Sequence, residues 1–348
     1  MSVFDNAAWA QHERVLHCSD PVSGLRAIIA IHSTALGPAA GGCRFWHYDD
    51  DTAALTDVLR LSQGMSYKNA MAGLSLGGGK AVILAPEDRQ LTDTLLASFG
   101  QFVETLHGDY ITAEDVGRSV PAMQVIATRT RHVAGLPSTG GSAGGDPAPK
   151  TAEGVFAGIR AAVRHQRGDA SLEGLHVAVQ GVGNVGMNLA RSLAKAGARL
   201  TVADINGARV AQACEELGAE AASLEDILFT DADIVAPCAL GAVLDAESIP
   251  RLKATIIAGA ANNQLATDED GQRLFDAGIL YAPDYVINAG GIVNVALEYE
   301  GGFTEADVDA RVAAIGDRLG DIFAQSDRDQ RPTNVIADTM ARALIAGD

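Results

Sequence analysis

Basic residues, closely spaced cysteines and long apolar runs are all scarce in this sequence, and each shortage excludes a class of protein. Lysine and arginine number 26 against 44 acidic residues, which gives a formal net charge of −18. A chain this acidic is poorly suited to following nucleic-acid phosphates or anionic lipids, so we expect neither a nucleic acid nor a membrane as partner. No stretch approaches the roughly 18 consecutive apolar residues of a membrane span.

The four cysteines are widely scattered along the chain. Cys18, Cys43, Cys214 and Cys238 form no CxxC pair, so we expect buried thiols in a reducing compartment and no bound metal. The first residues, MSVFDNAAWAQHERV, lack the cationic start and the apolar run of a signal peptide. Together these features predict a cytoplasmic protein.

Two domains are expected from the length of 348 residues and from one change in composition. The segment STGGSAGGDPAP, residues 138–149, is rich in Gly, Ser and Pro without apolar periodicity, which is typical of a linking loop. We therefore predict a first domain at 1–137 and a second at 138–327. A C-terminal helix, roughly 328–348, is a candidate to pack back on the first domain.

Apolar periodicity predicts an α/β fold in both domains. For the first domain it predicts strands at 25–32 and 109–112 and helices at 51–63 and 91–107. For the second it predicts short strands that include 175–180 and 198–204, and helices at 151–166, 184–196 and 207–217. Buried strands that alternate with helices indicate a doubly wound parallel sheet of the Rossmann type in the second domain.

A glycine-rich motif follows the first strand of the second domain. Residues Gly181, Val182, Gly183, Asn184, Val185 and Gly186 match GxGxxG and open a predicted helix. The three glycines allow a tight turn, close approach to a pyrophosphate and packing of the helix on the strand. Asp204 ends the next strand, where its carboxylate can bind the ribose hydroxyls. The pattern predicts NAD as cofactor, while Arg209 in the following helix keeps NADP open.

A second group of residues, in the first domain, has side chains suited to catalysis. Lys68 and Lys80 flank the glycine-rich part of MSYKNAMAGLSLGGGKAVI, and Asp115 lies in ITAEDVG. A phosphate-binding loop is excluded, because Leu74 stands where its first glycine is required and Ala81 where a hydroxyl must bind magnesium. Either lysine alone could be a solvated surface charge. Three glycines before Lys80 and an apolar strand after it favour a partly buried position.

At these residues the chain resembles the Glu/Leu/Phe/Val amino-acid dehydrogenase family, and most of all its leucine dehydrogenases. The matching blocks run along nearly the whole chain: GPAAGGCR (37–44), MSYKNAMAGLSLGGGKAVI (65–83), YITAEDVG (110–117), GVGNVG (181–186), APCALG (236–241), AGAANNQL (258–265) and YAPDYVINAGGIVNVA (281–296). The resemblance implies NAD-dependent conversion of an L-amino acid to its 2-oxo acid and ammonia. It also implies that the first domain binds the substrate and forms a homo-oligomer.

By this resemblance, three side chains divide the chemistry among them. Lys68 binds the substrate carboxylate, Lys80 is the catalytic base, and Asp115 exchanges protons with the substrate amino group. Oxidative deamination removes a hydride from the α-carbon and then requires attack of water on the resulting iminium. A buried lysine with a cationic neighbour gives up its proton more easily than an exposed one, so it can activate that water.

The resemblance assigns further contacts around this group. Asn263, or Asn262 beside it, is matched to a substrate-binding asparagine. Asn288 is expected to face the nicotinamide or the substrate, and Gly41 and Gly42 are expected to bring backbone close to the substrate carboxylate.

Two residues of the APCALG block are expected to contact the cofactor. Cys238 and Ala239 follow a predicted strand, at the end where doubly wound sheets bind ligands. Cys238 has no His or second Cys near it in sequence, so we interpret it as a packing or cofactor-contact residue rather than a nucleophile.

Family matching places five apolar residues around the substrate side chain: Ala40, Met65, Ala113, Ile292 and Val295. No charged residue is among them, which disfavours glutamate. Leucine enzymes usually carry leucine in place of Ala40, so phenylalanine stays an alternative, although TAEDVG is the leucine-type block. Because one methylene is worth only about 1–3 kcal/mol in an apolar pocket, we expect broad activity that favours branched-chain amino acids.

Two other kinds of function remain open. A catalytically idle NAD-binding sensor would be expected to have lost catalytic residues, but Lys68, Lys80 and Asp115 are all present. A nicotinamide-dependent reductase of another carbonyl compound would leave the first-domain blocks unexplained. For assembly, the strand at 25–32 is a candidate edge that pairs with a second copy, or else an internal strand of its own sheet.

Overall fold

The computed structural model describes residues 2–86, 90–115, 120–136, 143, 145–239 and 241–347. The chain forms two compact units, of which the first comprises residues 1–145, 295–305 and 341–348 and the second comprises 146–294 and 306–340. The second unit thus begins at Asp146, within the predicted linker, of which residues 138–142 and 144 lie outside the described residues. At the C-terminus, 341–348 belongs to the first unit and 328–340 to the second.

The first unit is built on a mixed sheet of five strands. They are β1 (Arg14–Asp20), β2 (Leu25–Ser33), β3 (Ala39–Trp46), β4 (Gly77–Leu84) and β5 (Tyr110–Ala113). Their spatial order is β1-β2-β4-β3-β5; β2 is antiparallel to β1 and β4, and β3 is parallel to β4 and β5. The same unit contains α1 (Asp51–Met71), α2 (Asp93–Glu104) and α3 (Val120–Ala127).

Strand β2 separates two apolar layers, because successive side chains point to opposite faces of the sheet. Ile29 and Ile31 contribute to a layer with α2 and α3, in which Phe99 is fully buried. Ile28 and Ala30 contribute to the layer on the other face, with α1. The sheet of the first unit is therefore covered on both sides.

The second unit contains a parallel sheet of six strands. They are β6 (His176–Gln180), β7 (Arg199–Ala203), β8 (Glu220–Ala221), β9 (Ile234–Pro237), β10 (Ile256–Ile257) and β11 (Leu280–Tyr281). The spatial order β8-β7-β6-β9-β10-β11 is that of a doubly wound dinucleotide-binding fold, with the reversal between β6 and β9. All four residues of β9 are buried, as expected for a strand covered on both faces. The predicted fold class is confirmed.

Eight further helices are described before, between and after the strands of this second sheet. They are α4 (Ala148–Arg167), α5 (Asn184–Lys195), α6 (Gly207–Leu217), α7 (Glu269–Asp276), α8 (Asp284–Ile287), α9 (Gly290–Glu300), α10 (Glu305–Asp329) and α11 (Thr333–Ala346). The chain passes from the second unit to the first within α9. Within the part of the chain that the structure describes, every helix is too short or too polar to span a lipid bilayer.

Local periodicity missed several elements of the first unit. Strands β1 and β3 were not predicted, α1 continues to Met71 instead of ending at 63, and Gly77–Gly79 belong to β4 instead of a turn. The glycines of β3 and β4 carry no side chain, so they leave no apolar alternation to detect. Strand β2 lies between β1 and β4, so the interpretation of residues 25–32 as a sheet edge is wrong and the internal alternative is correct.

Candidate active site

Lys80 lies in β4 and points into the layer that α1 covers. Its cross-strand partner Ala30 and the next residue on its face, Val82, both belong to that layer. The Lys80 side chain is only 9% exposed, and a buried ammonium group requires a charged or hydrogen-bonding partner. Asp115, just beyond β5, provides it, because Lys80 Nζ and Asp115 Oδ2 form an ion pair. The structure thus brings the two predicted catalytic residues together.

The absence of a side chain at Gly42 lets Asp115 approach the sheet. A Cβ atom on Gly42 would lie 2.8 Å from Asp115 Cβ and 2.5 Å from the carbonyl oxygen of Glu114, so any side chain there would push this segment away. The neighbouring Gly41 is held by Tyr110, whose hydroxyl donates a 2.8 Å hydrogen bond to the Gly41 carbonyl. Both predicted glycines therefore lie beside the Lys80–Asp115 pair. Their contact with a substrate stays a prediction.

Helix α1 carries Met65 and Lys68 on one face, since residues three apart are neighbours on a helix. This face packs on β3. If Gly41 carried a Cβ atom, that atom would lie only 3.1 Å from Met65 Cγ. Lys68 lies in the last turn of α1 and is half-buried. Next to it, Asn69 donates a 2.6 Å hydrogen bond to the Gly77 carbonyl, which fixes the end of α1 against β4.

The apolar residues matched to the substrate pocket lie on three further elements. Ala40 and Ala113 are buried on the neighbouring strands β3 and β5. Ile292 and Val295 are half-buried and lie three residues apart on α9, hence on one face of that helix. That these residues line one substrate pocket stays a prediction.

A third charged side chain reaches Asp115. Arg44 Nε lies 3.6 Å from Asp115 Oδ2, while Arg44 Nη1 donates to both carboxylate oxygens of Asp57, at 3.0 and 3.3 Å. Burial by itself would lower the pKa of Arg44, but the charges of Asp115 and Asp57 outweigh it and raise that pKa. Arg44 therefore stays a cation, so the Asp115 carboxylate lies between two positive groups.

The dinucleotide motif forms the turn from β6 to α5. Gly181 has φ +92°, a left-handed conformation that favours glycine, and a Cβ atom on Gly186 would collide with the Gly181 carbonyl. Gly183 precedes the first helical residues, Asn184 and Val185, and among the described residues no side chain caps this helix start. The first N–H groups of α5 are therefore available to an anion, as binding of a pyrophosphate requires.

Asp204, after β7, contacts the same turn. Its Oδ2 accepts a 2.8 Å hydrogen bond from the Val182 N–H, and its Oδ1 accepts one of 2.8 Å from the Asn206 N–H. Arg209, near the start of α6, is exposed, and its Nη1 lies 3.4 Å from where a Cβ atom on Gly183 would be. An acidic and a basic side chain thus both lie near the predicted ribose position.

The predicted asparagines divide into a connected pair and a separate residue. Asn288 is buried, and its Nδ2 donates to Asn262 Oδ1 at 2.7 Å and to the Ala260 carbonyl at 3.1 Å. Asn288 Oδ1 is also buried and has no hydrogen-bond partner among the described residues, so it can accept a hydrogen bond from a ligand. Asn263 is exposed and has φ +52°. The structure therefore favours Asn262 over Asn263 as the residue coupled to Asn288.

Cys238 and Ala239 follow β9, directly beside the strand reversal of the sheet. A Cβ atom on Gly181 would lie 2.8 Å from Ala239 Cβ, so this segment packs on the dinucleotide turn. Burial raises the pKa of the Cys238 thiol to about 12, which keeps it protonated and unreactive at neutral pH. This agrees with the interpretation that Cys238 is not a nucleophile; whether it only packs or also contacts the cofactor stays a prediction.

Two protein-family models match this chain and identify the family to which it belongs. The model of the "Glu/Leu/Phe/Val dehydrogenase, dimerisation domain" matches residues 12–132, and that of the "Glutamate/Leucine/Phenylalanine/Valine dehydrogenase" matches 140–214 and 208–344. The chain belongs to the Glu/Leu/Phe/Val dehydrogenase family. The predicted family is thereby confirmed.

Individual members of this dehydrogenase family align over nearly the whole chain. Leucine dehydrogenase of Geobacillus stearothermophilus is 48% identical over 99% of this chain and 94% of its own length. Valine dehydrogenase of Streptomyces virginiae is 46% identical over 96% of this chain and 94% of its own. The crystal structure of L-tryptophan dehydrogenase from Nostoc punctiforme superposes with a TM-score of 0.86, at 43% identity over 97% of this chain and 96% of that one.

Sequence reasoning about this dehydrogenase missed Arg44, which lies beside Asp115, and the two residues behind it, Asp57 and Tyr48. Arg44 appeared only inside the GPAAGGCR block, and Asp57 and Tyr48 were not considered. The available signal was the alternation of side chains along a strand. Arg44 is two residues after Gly42 in β3, so both positions face the same side of the sheet. That signal required knowing that residues 39–46 form a strand.

Proposed function

We propose that the protein catalyses the reversible oxidative deamination of hydrophobic L-amino acids, with branched-chain substrates favoured and NAD as the oxidant. The observation that carries this proposal is the buried ion pair of Lys80 and Asp115 in a chain of this dehydrogenase family. Few structural roles require two ionised side chains in an apolar layer, where burial of charge is costly. Proton transfer during deamination needs groups that accept and donate protons beside the substrate, and this pair can supply them.

Three charged side chains of the first unit each have a role in the reaction. Lys68 binds the substrate carboxylate. Asp115 accepts a proton from the substrate ammonium group, so that the α-carbon can lose its hydride. Lys80 first releases its proton to solvent and then, as a neutral amine, accepts a proton from the water molecule that attacks the iminium carbon. Asp115 then returns its proton to the nitrogen and accepts the proton of the new hydroxyl group as the C–N bond breaks, which releases the 2-oxo acid and ammonia, and ammonia takes up that last proton.

The residues of the second unit fit a nicotinamide dinucleotide. A bound cofactor of this kind supplies the acceptor for the substrate hydride. The N–H groups at the start of α5 would hold its pyrophosphate, Asp204 its ribose hydroxyls, and Asn288 Oδ1 a carboxamide N–H. Asp204 supports NAD over NADP, because a carboxylate repels a 2′-phosphate. Arg209 supports a minor activity with NADP.

The preferred amino acid follows from the small, uncharged residues matched to the pocket, Ala40 and Ala113 among them. They leave room for an aliphatic side chain and offer no cation for the distal carboxylate of glutamate. A second candidate is an aromatic amino acid. Ala40 is smaller than the leucine expected in a leucine enzyme, and the chain is 44% identical to the tryptophan dehydrogenase of Nostoc punctiforme.

A substrate panel tests this proposal directly. The purified protein is mixed with NAD or NADP and with leucine, valine, isoleucine, phenylalanine, tryptophan or glutamate, and NAD(P)H formation is followed by absorbance. We expect the highest kcat/KM with a branched-chain amino acid and NAD, and no turnover of glutamate. The highest value with phenylalanine or tryptophan would favour the aromatic candidate. Absence of turnover in both directions, including 2-oxo acid with ammonia and NADH, would reject the proposed function.

Homo-oligomers and a cytoplasmic location complete the proposal. The matched model of residues 12–132 is described as a dimerisation domain, and β1 is an edge strand of the first sheet in the part of the chain that the structure describes. Light scattering of the purified protein measures its mass, and a monomer at micromolar concentration would contradict the expected assembly.

A further inference from the structure

Asp115 is held by a row of side chains that extends away from Lys80. The row runs from Lys80 to Asp115, Arg44, Asp57 and Tyr48, and all five belong to the first unit. Positive and negative groups alternate along it, and the side chains of Arg44 and Asp57 are only 23% and 28% exposed. Partly buried charges of this kind interact more strongly than charges at the surface.

The two ends of the Arg44 guanidinium have different partners. Nη1 donates to both oxygens of Asp57, and the hydroxyl of Tyr48 donates to Asp57 Oδ2 at 2.6 Å. This leaves Nε directed at Asp115, at 3.6 Å, which is beyond the usual hydrogen-bond distance. Without Asp57, the guanidinium would be free to form the forked pair that arginine prefers with a carboxylate, and would compete with Lys80 for the Asp115 oxygens.

We propose that Arg44 is a positioning residue for Asp115, and that Asp57 and Tyr48 in turn keep Arg44 from pairing too closely with it. Arg44 stabilises the ionised Asp115 carboxylate without hydrogen-bonding to it. It therefore does not compete with Lys80 or with the substrate amino group for the Asp115 oxygens. The inference rests on the proposed function, since it assigns Asp115 the proton transfer of deamination.

Replacement of Arg44 tests this inference by a pH profile. In Arg44→Gln, loss of a cation disfavours the ionised form of a neighbouring carboxylate, so the acidic limb of kcat/KM should move to higher pH by about 0.5 unit or more. We expect kcat for leucine to fall about 10²-fold, in the range that positioned acid–base groups contribute, with NADH affinity unchanged. Arg44→Lys retains the positive charge, so its kcat and its pH profile should lie between those of Arg44→Gln and the unmodified protein.

Two further variants separate positioning from folding. Arg26→Gln is the matched control, because Arg26 pairs with Asp51 on the surface of the same unit, at 61% and 70% exposure, and its pH profile should equal that of the unmodified protein. Tyr48→Phe removes one hydroxyl, so it keeps the test valid even where Arg44→Gln does not fold. Because Asp57 then holds Arg44 less firmly and Arg44 can approach Asp115, the acidic limb of kcat/KM should move in the opposite direction, to lower pH, by a smaller amount.

The outcomes are distinguishable. If the unmodified protein turns over no amino acid, the proposed function fails and this inference fails with it. If the unmodified protein is active and the folded Arg44→Gln variant, or failing that Tyr48→Phe, keeps the pH profile of Arg26→Gln, the inference alone is overturned.

Discussion

The two units build their sites in different ways. In the second unit, a continuous stretch from β6 through α5 to Asp204 supplies the dinucleotide turn, the helix start and the acidic residue. In the first unit, Gly42, Lys68, Lys80 and Asp115 come from β3, α1, β4 and the segment after β5. The predicted cofactor site can therefore be recognised from one local segment of sequence, whereas the predicted catalytic group depends on the order of strands in a sheet.

Replacement of Lys80 should have the largest effect and should separate the two units functionally. Because Lys80→Ala removes the proposed base, we expect kcat to fall about 10³-fold or more, with NADH binding retained in the second unit. Fluorescence titration of NADH and steady-state rates with leucine measure the two properties. Lys253→Ala, at an exposed position of the second unit, is the control. A kcat of Lys80→Ala equal to that of Lys253→Ala would reject the role assigned to Lys80.

Replacement of Asp204 should have the opposite effect to Lys80→Ala: it should weaken cofactor binding and leave the chemical step nearly unchanged. Asp204→Ser loses charged hydrogen bonds worth about 1.5–3 kcal/mol, so kcat/KM for NAD should fall about 10- to 100-fold while kcat at saturating NAD changes little. Use of NADP should rise relative to NAD, because the carboxylate that repels a 2′-phosphate is gone and Arg209 remains. Adding Arg209→Ala should abolish that gain. An unchanged NAD-to-NADP preference in Asp204→Ser would contradict our assignment of the cofactor.

Gly42→Ala tests whether the first unit depends on close backbone approach. The new Cβ atom would overlap with the Glu114–Asp115 segment, and overpacking of this kind costs typically about 1–3 kcal/mol. We expect a lower thermal midpoint and a roughly tenfold loss of kcat, since Asp115 is pushed away from Lys80. Gly207→Ala in the second unit is the control, because its Cβ would meet no atom within 4 Å. Normal rates in Gly42→Ala would show that this approach is dispensable.

Acid should weaken the first unit through two histidines, the buried His12 and the half-buried His32. Burial lowers the pKa of both, that of His32 from 6.5 to about 4 with help from the neighbouring His12. Between pH 6.5 and about 4 the unfolded chain therefore binds more protons than the folded one, so stability falls as the pH falls through this window. We expect a thermal midpoint several degrees lower at pH 5 than at pH 7.5, on the order expected for a cost of about 1 kcal/mol.

His32→Gln should flatten this dependence on pH, since it removes one of the two titrating groups. His17→Gln, at an exposed position of β1, should leave the dependence unchanged and serves as its control. Equal slopes for the two variants would mean that His32 does not titrate with unfolding.

Much of this protein was predictable from sequence because the information is local. The alternation of short apolar strands with helices, the GxGxxG turn and Asp204 at the end of the next strand all lie within one stretch of chain, and each follows from backbone geometry. The block around Lys80 and its similarity to a known family indicated the enzyme class. No folded structure was needed for these conclusions.

Only the tertiary structure decided how the Asp115 carboxylate is held. Pairing of β3 with both β4 and β5 places Gly42, Lys80 and Asp115 together, and α1 adds Asp57 to the opposite side of Arg44. Glycine-rich strands give no apolar pattern, and an ion pair between residues far apart in sequence has no local signal. The physical reason is that such contacts are set by strand order and by the packing of α1 on the sheet.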